Sequence, residues 1–318
     1  MGPKAKKLIL IVGPTGVGKS ATGLALAEKI KGEIINCDSM QVYKGFDIGT
    51  DKPSAEDRER IPHHLLDIID SSSQFTAADF AALASEAIAG ILGRNHIPLV
   101  VGGTGLYFKA LLEGLFPGPG RDDRVRRALE KEAAEQGLKT LRNRLEAVDP
   151  AYAKIIGRND RIRIIRALEV YTTTGTPISV HFRRTQSRLQ DFHPIKIGLQ
   201  LERKELYRGI ERRVDRMFDR GLVEEVRTLL AEGVAANAPP FKALGYKYVL
   251  KLLKNEINLE EAIKLTKIDT RHYAKRQMTW FRKMENIVWF SPHDFPSILS
   301  FVKQNLNNLI VSPKEKGE

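Results

Sequence analysis

Eight residues near the start of the chain, Gly13-Pro14-Thr15-Gly16-Val17-Gly18-Lys19-Ser20, restrict the fold more than any other stretch. They satisfy the pattern G-x-x-x-x-G-K-[ST] at every fixed position. The pattern has meaning only between a strand and a helix. Leu8 to Val12 is an apolar run of strand length, and Ala21 to Ile30 reads as a helix. In that setting the glycines let successive backbone N–H groups turn toward one anion. The positive end of the helix points at the same spot. Lys19 adds a mobile cation, and the Ser20 hydroxyl is suited to a Mg²⁺ ion. A chance glycine-rich turn is the plainer alternative, and the flanking strand and helix count against it. The stretch predicts a site for a di- or triphosphate and leaves open what is done to it.

The following segments repeat the alternation. Gly32 to Cys37 reads as a short buried strand ending at Asp38, and His64 to Ile68 as another strand. Between them, Asp47 to Pro53 is rich in turn formers. Thr76 to Leu92 has helical spacing with Thr76 as N-cap. Pro98 to Val101 is a third buried strand, closed by Gly102-Gly103-Thr104-Gly105, and Leu106 to Leu112 looks helical. Strand and helix in turn predict an α/β fold, a parallel sheet covered on both faces. Ligands of such sheets sit at the carboxyl ends of the strands, where Gly13–Ser20, Asp38 and Thr104 would meet. Asp38 is the one acid at a buried strand end near the loop. As a bare residue it could equally be a helix cap or turn former, and Thr104 a turn threonine.

Phe116-Pro117-Gly118-Pro119-Gly120 changes the character of the chain and reads as a hinge. Residues 117–190 then form a helical insertion, with helices at Arg121–Glu135, Leu138–Ala147 and Arg161–Thr172. Residues 1–116 and 191–318 form the core. Pro194–Leu199 is expected to rejoin the first sheet. Helices follow at Lys204–Arg220, Leu222–Glu232 (Gly221 between them as a cap), Lys242–Leu253 and Leu259–Phe281. Ile287–Phe290 is a short strand, and Pro313–Glu318 a frayed tail.

Lys and Arg number 51 against 39 Asp and Glu, a formal net charge of +12, which favours a polyanionic partner such as nucleic acid. A generally basic surface is the plainer reading. The run Arg158, Arg161, Arg163, Arg166 is interleaved with Ile162, Ile164 and Ile165, so one face is expected to pack while the arginines meet phosphate. The single cysteine, Cys37, excludes an intrachain disulfide and a cysteine-rich zinc site, and suits a cytoplasmic protein. No apolar run approaches the length of a membrane span.

The chain resembles the bacterial tRNA dimethylallyltransferases, also called tRNA isopentenyltransferases. The phosphate loop carries the likeness together with Asp38-Ser39-Met40-Gln41-Val42-Tyr43, Asp47-Ile48-Gly49-Thr50 with Lys52-Pro53, and Gly102-Gly103-Thr104-Gly105-Leu106-Tyr107. So do Asn159-Asp160 with Arg163, Arg166, Ala167, Leu168 and Glu169, then Gly245-Tyr246, then Lys275-Arg276-Gln277-Met278-Thr279-Trp280. The motifs span nearly the whole chain in the family's order. The resemblance implies a P-loop NTPase-like, nucleotide-kinase-like core with a mostly helical tRNA-binding insertion. It implies transfer of the dimethylallyl group of dimethylallyl diphosphate to N6 of the adenosine immediately 3′ of the anticodon, in tRNAs reading codons that begin with U. Diphosphate leaves with Mg²⁺ assisting, and Gly13, Pro14, Thr15, Gly16, Val17, Gly18, Lys19 and Ser20 hold it, Ser20 also facing the metal. Asp38 matches the proposed base, Thr104 its orienting partner, and Lys19 stabilises the leaving group. Arg213 is a further candidate for the diphosphate, or else a solvated helix arginine. Contact with the tRNA anticodon stem-loop falls to Asp38, Ser39, Met40, Gln41 and Thr104. It extends to Arg126, Ile162, Arg163, Ile164, Ile165 and Arg166 in the insertion, and to Lys242, Gly245, Lys247, Lys275, Arg276 and Arg282. The tract before Gly245 matches the family only loosely. A monomer is expected, with the insertion swinging on its hinge when RNA binds.

Three other functions share parts of this pattern. A P-loop small-molecule kinase would leave the basic helices idle. An adenylate (AMP or ATP) isopentenyltransferase would need neither the insertion nor the cationic C-terminal helices. A non-enzymatic RNA-binding module would not need Lys19, Ser20, Asp38 and Thr104 intact.

Overall fold

Leu8, Ile9, Leu10, Ile11 and Val12 are all fully buried, as expected of a central strand in a parallel sheet covered on both faces. In the computed structural model, which describes residues 6–308 apart from 117, 184, 186, 188 and 190, strand β1 (Ile9–Val12) leads into helix α1 (Lys19–Ile30). Then come β2 (Gly32–Cys37), α2 (Ala55–Arg60), β3 (His63–His64), α3 (Ala77–Gly93), β4 (Ile97–Gly102) and α4 (Gly105–Glu113). Helices α5 (Asp123–Glu135), α6 (Leu138–Val148), α7 (Pro150–Ile155), α8 (Arg161–Thr174) and α9 (Ile178–Arg183) follow. The chain continues with β5 (Ile195–Leu199), α10 (Arg203–Asp219), α11 (Leu222–Ala231), α12 (Tyr246–Leu253), α13 (Leu259–Phe281), β6 (Val288–Phe290) and α14 (Phe295–Asn308). The expected tail, Pro313–Glu318, and Pro117 of the expected hinge lie outside the described residues.

The six strands form one sheet in the order β3-β2-β4-β1-β5-β6, every pair parallel. Register decides what meets at its carboxyl edge. Val12 is level with Gly102 and with Gly198, and Cys37 is level with Gly102. The next residues, Gly13, Asp38 and Gly103, therefore leave the sheet side by side. Thr76 caps α3 through a reciprocal box with Asp79, and Gly221, at φ 95°, stops α10 and opens α11.

Two expected elements are corrected. The strand expected over His64–Ile68 is only His63–His64. Leu65 and Asp67 are left-handed (φ 61° and 53°), and the Asp67 carboxylate is turned toward Lys52 and Arg58. The helix expected from Lys242 begins at Tyr246, because Pro239–Lys242 forms a 3₁₀ turn and Gly245 adopts φ 92°.

The chain divides into two compact units, Met1–Leu111 with Leu189–Glu318, and Leu112–Arg188. Two of the clusters in the core of the first unit bear on the site. One lies around the sheet and includes Ile298 and Val302 of α14. The other gathers Val42, Phe46, Met217, Leu222, Phe241 and Tyr246. Phe46 sits edge-on to Phe241 and Tyr246 with ring centres 5.1 and 5.2 Å apart, and its loss to alanine would cost about 3–5 kcal/mol.

The second unit is helical throughout its described elements, α5 to α9. Ile164 and Ile165 are buried in its core with Leu141, Leu145 and Leu168. Their side chains are committed to packing within the unit. Ile162, one turn of the pattern away, is 77% exposed. Glu169, fully buried, accepts from Asp122 N–H at 2.8 Å and pairs with Arg126 at 3.0 Å and Arg166 at 3.1 Å. Burial raises its pKa, but these bonds outweigh it and hold the carboxyl below its usual range. Arg126 and Arg166, expected on RNA, thus neutralise a buried acid. Arg163 is exposed and pairs with Asp160 at the start of α8.

Candidate active site

The phosphate loop forms because a glycine follows β1 and another caps α1 in a conformation that favours glycine. Gly18 stands before α1 at φ 98°, a left-handed conformation that strains other residues. Lys19 turns back over the loop and donates to the Pro14 carbonyl at 2.8 Å. Partial burial and the nearby Arg213 cation lower its pKa to about 7, although Asp38 opposes this. Ser20, in the first turn of α1, is exposed.

Asp38 leaves β2 next to the loop. Its carboxylate accepts from Met40 N–H at 2.8 Å, so it serves as a turn residue while one oxygen remains for other work. Thr104 belongs to the same knot. Its N–H donates to the Cys37 carbonyl at 3.2 Å, and its hydroxyl accepts from Ser39 N–H at 3.1 Å. Tyr273 of α13 is hydrogen-bonded to the Thr104 side chain, and burial and the Asp38 charge push its phenol upward, so it stays protonated. Burial does the same to the Cys37 thiol, which is inert.

A cavity of about 270 Å³ opens on these groups, lined by Thr15, Asp38, Arg213 and Arg276 on polar sides and by Met40, Val214, Met217 and Leu244 on apolar ones. Arg213 reaches it from α10. Its guanidinium donates to the Thr15 hydroxyl and pairs with Asp51 at 3.0 Å. Ser39 and Lys242 also line the cavity. Gln41 is tied to the carbonyls of Thr50 and Asp51 at 3.0 and 3.1 Å. Gly245 precedes α12, and Lys247 is held by Asp269. Lys275, Arg276 and Arg282 are exposed toward the end of α13.

Four residues with strong geometric roles had no role assigned from sequence: Gln277, Tyr273, Asp51 and Glu225. Gln277, 5% exposed, accepts from Thr15 N–H at 2.8 Å and donates to the Gly103 carbonyl at 2.9 Å. A side chain on Gly103 would meet its amide at 2.2 Å. Glu225 of α11 accepts from the N–H groups of Asp47, Ile48 and Gly49 at 3.0, 2.7 and 3.3 Å, and from the Tyr246 hydroxyl at 2.5 Å. Gln277 lies inside a motif quoted above, and Asp51 in the turn-rich stretch Asp47 to Pro53. Nothing local in the sequence says which element they face.

A family model described as IPP transferase matches residues 41–284, and one described as isopentenyl transferase matches residues 6–72. A protein of Geobacter metallireducens named tRNA dimethylallyltransferase is 50% identical over 297 residues, 93% of this chain and 96% of that protein. The chain belongs to the IPP transferase family. Another family protein, the tRNA dimethylallyltransferase of Halothermothrix orenii, is 44% identical over 305 residues, 95% of this chain and 93% of that protein. The crystal structure of the tRNA isopentenylpyrophosphate transferase of Bacillus halodurans matches at a TM-score of 0.71 and 40% identity, covering 96% of this chain and 98% of that one. A eukaryotic dimethylallyltransferase captured acting on tRNA matches at a TM-score of 0.79 and 31% identity, covering 98% of this chain and 81% of that one. The IPP transferase core is thus an α/β, P-loop-type parallel sheet.

The metal chemistry open to this IPP transferase follows from its donors. Ser20, in the first turn of α1, and Asp38, just after β2, offer hard oxygens. Among the described residues no group of three or more His, Cys, Asp or Glu could hold a metal. Such a sparse oxygen set fits Mg²⁺, which keeps waters and takes further ligands from phosphate. No described helix is long and apolar enough to cross a membrane.

Proposed function

We propose that the protein transfers the dimethylallyl group of dimethylallyl diphosphate to N6 of the adenosine immediately 3′ of the anticodon, in tRNAs reading codons that begin with U. The observation that carries this reading is the register row at the carboxyl edge, which sets an anion cradle beside a carboxylate. The phosphate-loop amides, Lys19 and Arg213 hold the diphosphate. The apolar wall of Met40, Val214, Met217 and Leu244 takes the five-carbon chain. The target base is extruded from the stacked loop to reach Asp38.

The adenine N6 lone pair attacks C1 of the prenyl chain as the C1–O bond breaks. Asp38 takes the N6 proton while the C–N bond forms, which keeps the amine nucleophilic. Thr104 orients the carboxylate's neighbourhood, and the electron pair of the broken bond leaves on diphosphate. The cradle's cations stabilise that charge as it grows. Ser20 would hold a Mg²⁺ ion, which would supply further charge neutralisation for the leaving group. Ile162 and Arg163 in the helical unit, and Lys275, Arg276 and Arg282 on α13, offer exposed groups to the RNA. The protein works in the cytoplasm as a monomer.

The test is incubation with dimethylallyl diphosphate, Mg²⁺ and a tRNA carrying adenosine at that place, read as the mass of one added C5 unit. Asp38→Ala should lower turnover by about 10²–10⁴-fold while tRNA binding persists. Transfer to AMP in preference to an anticodon stem-loop, or ATP turnover without RNA, would overturn the reading.

A further inference from the structure

Helix α10 sorts its charges by face. Leu206, Ile210 and Val214 recur every fourth residue and are buried. Lys204, Arg208, Arg212 and Arg216 recur at the same interval, offset by two residues. Two residues turn an α-helix by about 200°, so the cations occupy the opposite, solvent side, and all four are exposed. The stripe is about 18 Å long, with about 6 Å between successive charges along the axis.

The acids of α10 are treated differently. Glu205 pairs with His293 at 2.6 Å, Glu211 with Arg271 at 3.0 Å and Asp215 with Lys267 at 2.6 Å. Each is drawn sideways onto a neighbouring element. Among the described residues the side chains of Lys204, Arg208, Arg212 and Arg216 make no hydrogen bond or ion pair. Asp219 is the one exposed acid near the end of the stripe, and Arg220 beyond it pairs with Asp51 at 3.8 Å. Like charges at i,i+4 destabilise a helix, and among the described residues no acid pairs with any of the four.

The helix that carries the stripe also reaches the site from its other faces. Ile210 packs on Gly16 of the phosphate loop, and Arg213, next in chain to Arg212, enters the cavity. We propose that the stripe is a second docking surface for tRNA, taking the phosphate backbone of the molecule outside the anticodon loop. This rests on the reading that tRNA is the substrate. A regular row of cations matches a linear polyanion, and spacing near that of successive phosphates along one strand suits RNA. The outer face lacks the apolar residues that a membrane-surface helix buries in lipid.

The experiment measures binding of full-length tRNA and of a short anticodon stem-loop across a potassium chloride series. It compares the wild-type chain with a triple variant, Arg208→Ala with Arg212→Ala and Arg216→Ala, and with the matching triple lysine variant. For the alanine variant, the slope of log affinity against log salt for full-length tRNA should fall by about 2 to 3. Affinity at low salt should drop at least ~10-fold, while the lysine variant keeps both. Binding of the short stem-loop and C5 transfer to it should stay at the wild-type level. The proposal is overturned if the tRNA slope is unchanged, if the lysine variant fails alike, if the stem-loop loses affinity equally, or if only binding to anionic vesicles is lost. Failure of the wild-type protein to prenylate tRNA would strike the functional reading instead, because the binding slopes are measured without catalysis.

Discussion

Gln277 and Thr15, 262 positions apart in the chain, are joined by a 2.8 Å hydrogen bond from the Thr15 N–H to the Gln277 side-chain oxygen. The other end of the same amide donates to Gly103. One buried side chain of α13 thus sets the spacing between the glycine-rich loop of residues 13–20 and the loop that carries Thr104. Gln277→Leu leaves the buried Gly103 carbonyl without a partner, which costs about 1–3 kcal/mol, and frees the partly buried Thr15 N–H at a smaller cost. The expected outcome is a lower Tm and a fall in kcat of at least ~10-fold, with KM for tRNA little changed. Gln277→Glu, which keeps an acceptor for Thr15, should fall between. Steady-state kinetics and thermal unfolding check both.

Lys19 is expected to take up a proton when diphosphate binds. Its pKa in the free protein is about 7, against 10.5 for an ordinary lysine. At pH 8 most free molecules carry a neutral amine, and an anion at the loop restores the charge. Calorimetry of inorganic diphosphate binding at pH 8, in buffers of different ionisation enthalpy, should report close to one proton more for the wild type than for Lys19→Met. The same shift has a stability consequence. Between about pH 7 and 10.5 the unfolded chain holds this proton and the folded chain does not, so this group's contribution to stability rises with pH across that window.

Glu225 holds the loop that presents Asp51 to Arg213. Its carboxylate caps three successive N–H groups of residues 47–49 and the buried Tyr246 hydroxyl. Glu225→Ala should release the loop and with it the Asp51–Arg213 pair. KM for dimethylallyl diphosphate is expected to rise about 10-fold or more, a loss of at least ~1.4 kcal/mol, and the 47–52 amides should exchange faster with deuterium. Glu225→Gln should retain part of the affinity.

Glu33 predicts acid sensitivity away from the site. It is 2% exposed at the amino-terminal half of β2 and meets Arg94, His64 and His96 at 2.7 Å each. Burial works against ionisation, but these bonds prevail and hold its pKa at about 2. The depressed value means that its stabilisation is present above pH 4.5 and is lost as pH falls toward 2. Glu33→Gln should cost about 2 kcal/mol at neutral pH, flatten the melting temperature's dependence between pH 4.5 and 2, and leave C5 transfer at 25 °C unchanged. Thermal scans across that range, with an activity assay, check this.

The meeting of the candidate site's parts at one sheet edge was legible along the chain because each part is local. A glycine-rich turn between a strand and a helix makes its own anion site, and apolar strands that end in Asp38 or in Gly103-Thr104 place those residues at a sheet edge in any parallel arrangement. Periodicity likewise marked α3, α10 and α13, and turn residues marked Gly221 as a helix stop. Folding in three dimensions settled which loops were neighbours: β1 lies between β4 and β5, and that register puts Gly13, Asp38 and Gly103 in one row. It also sorted the cations. Arg126 and Arg166 flank and neutralise the buried Glu169, whereas among the described residues Arg208, Arg212 and Arg216 are left without side-chain partners. The physical reason is range. Backbone conformation and capping depend on residues a few positions away, but the partner of a buried charge or amide is chosen by packing between elements far apart in sequence, as Gln277 is from Thr15.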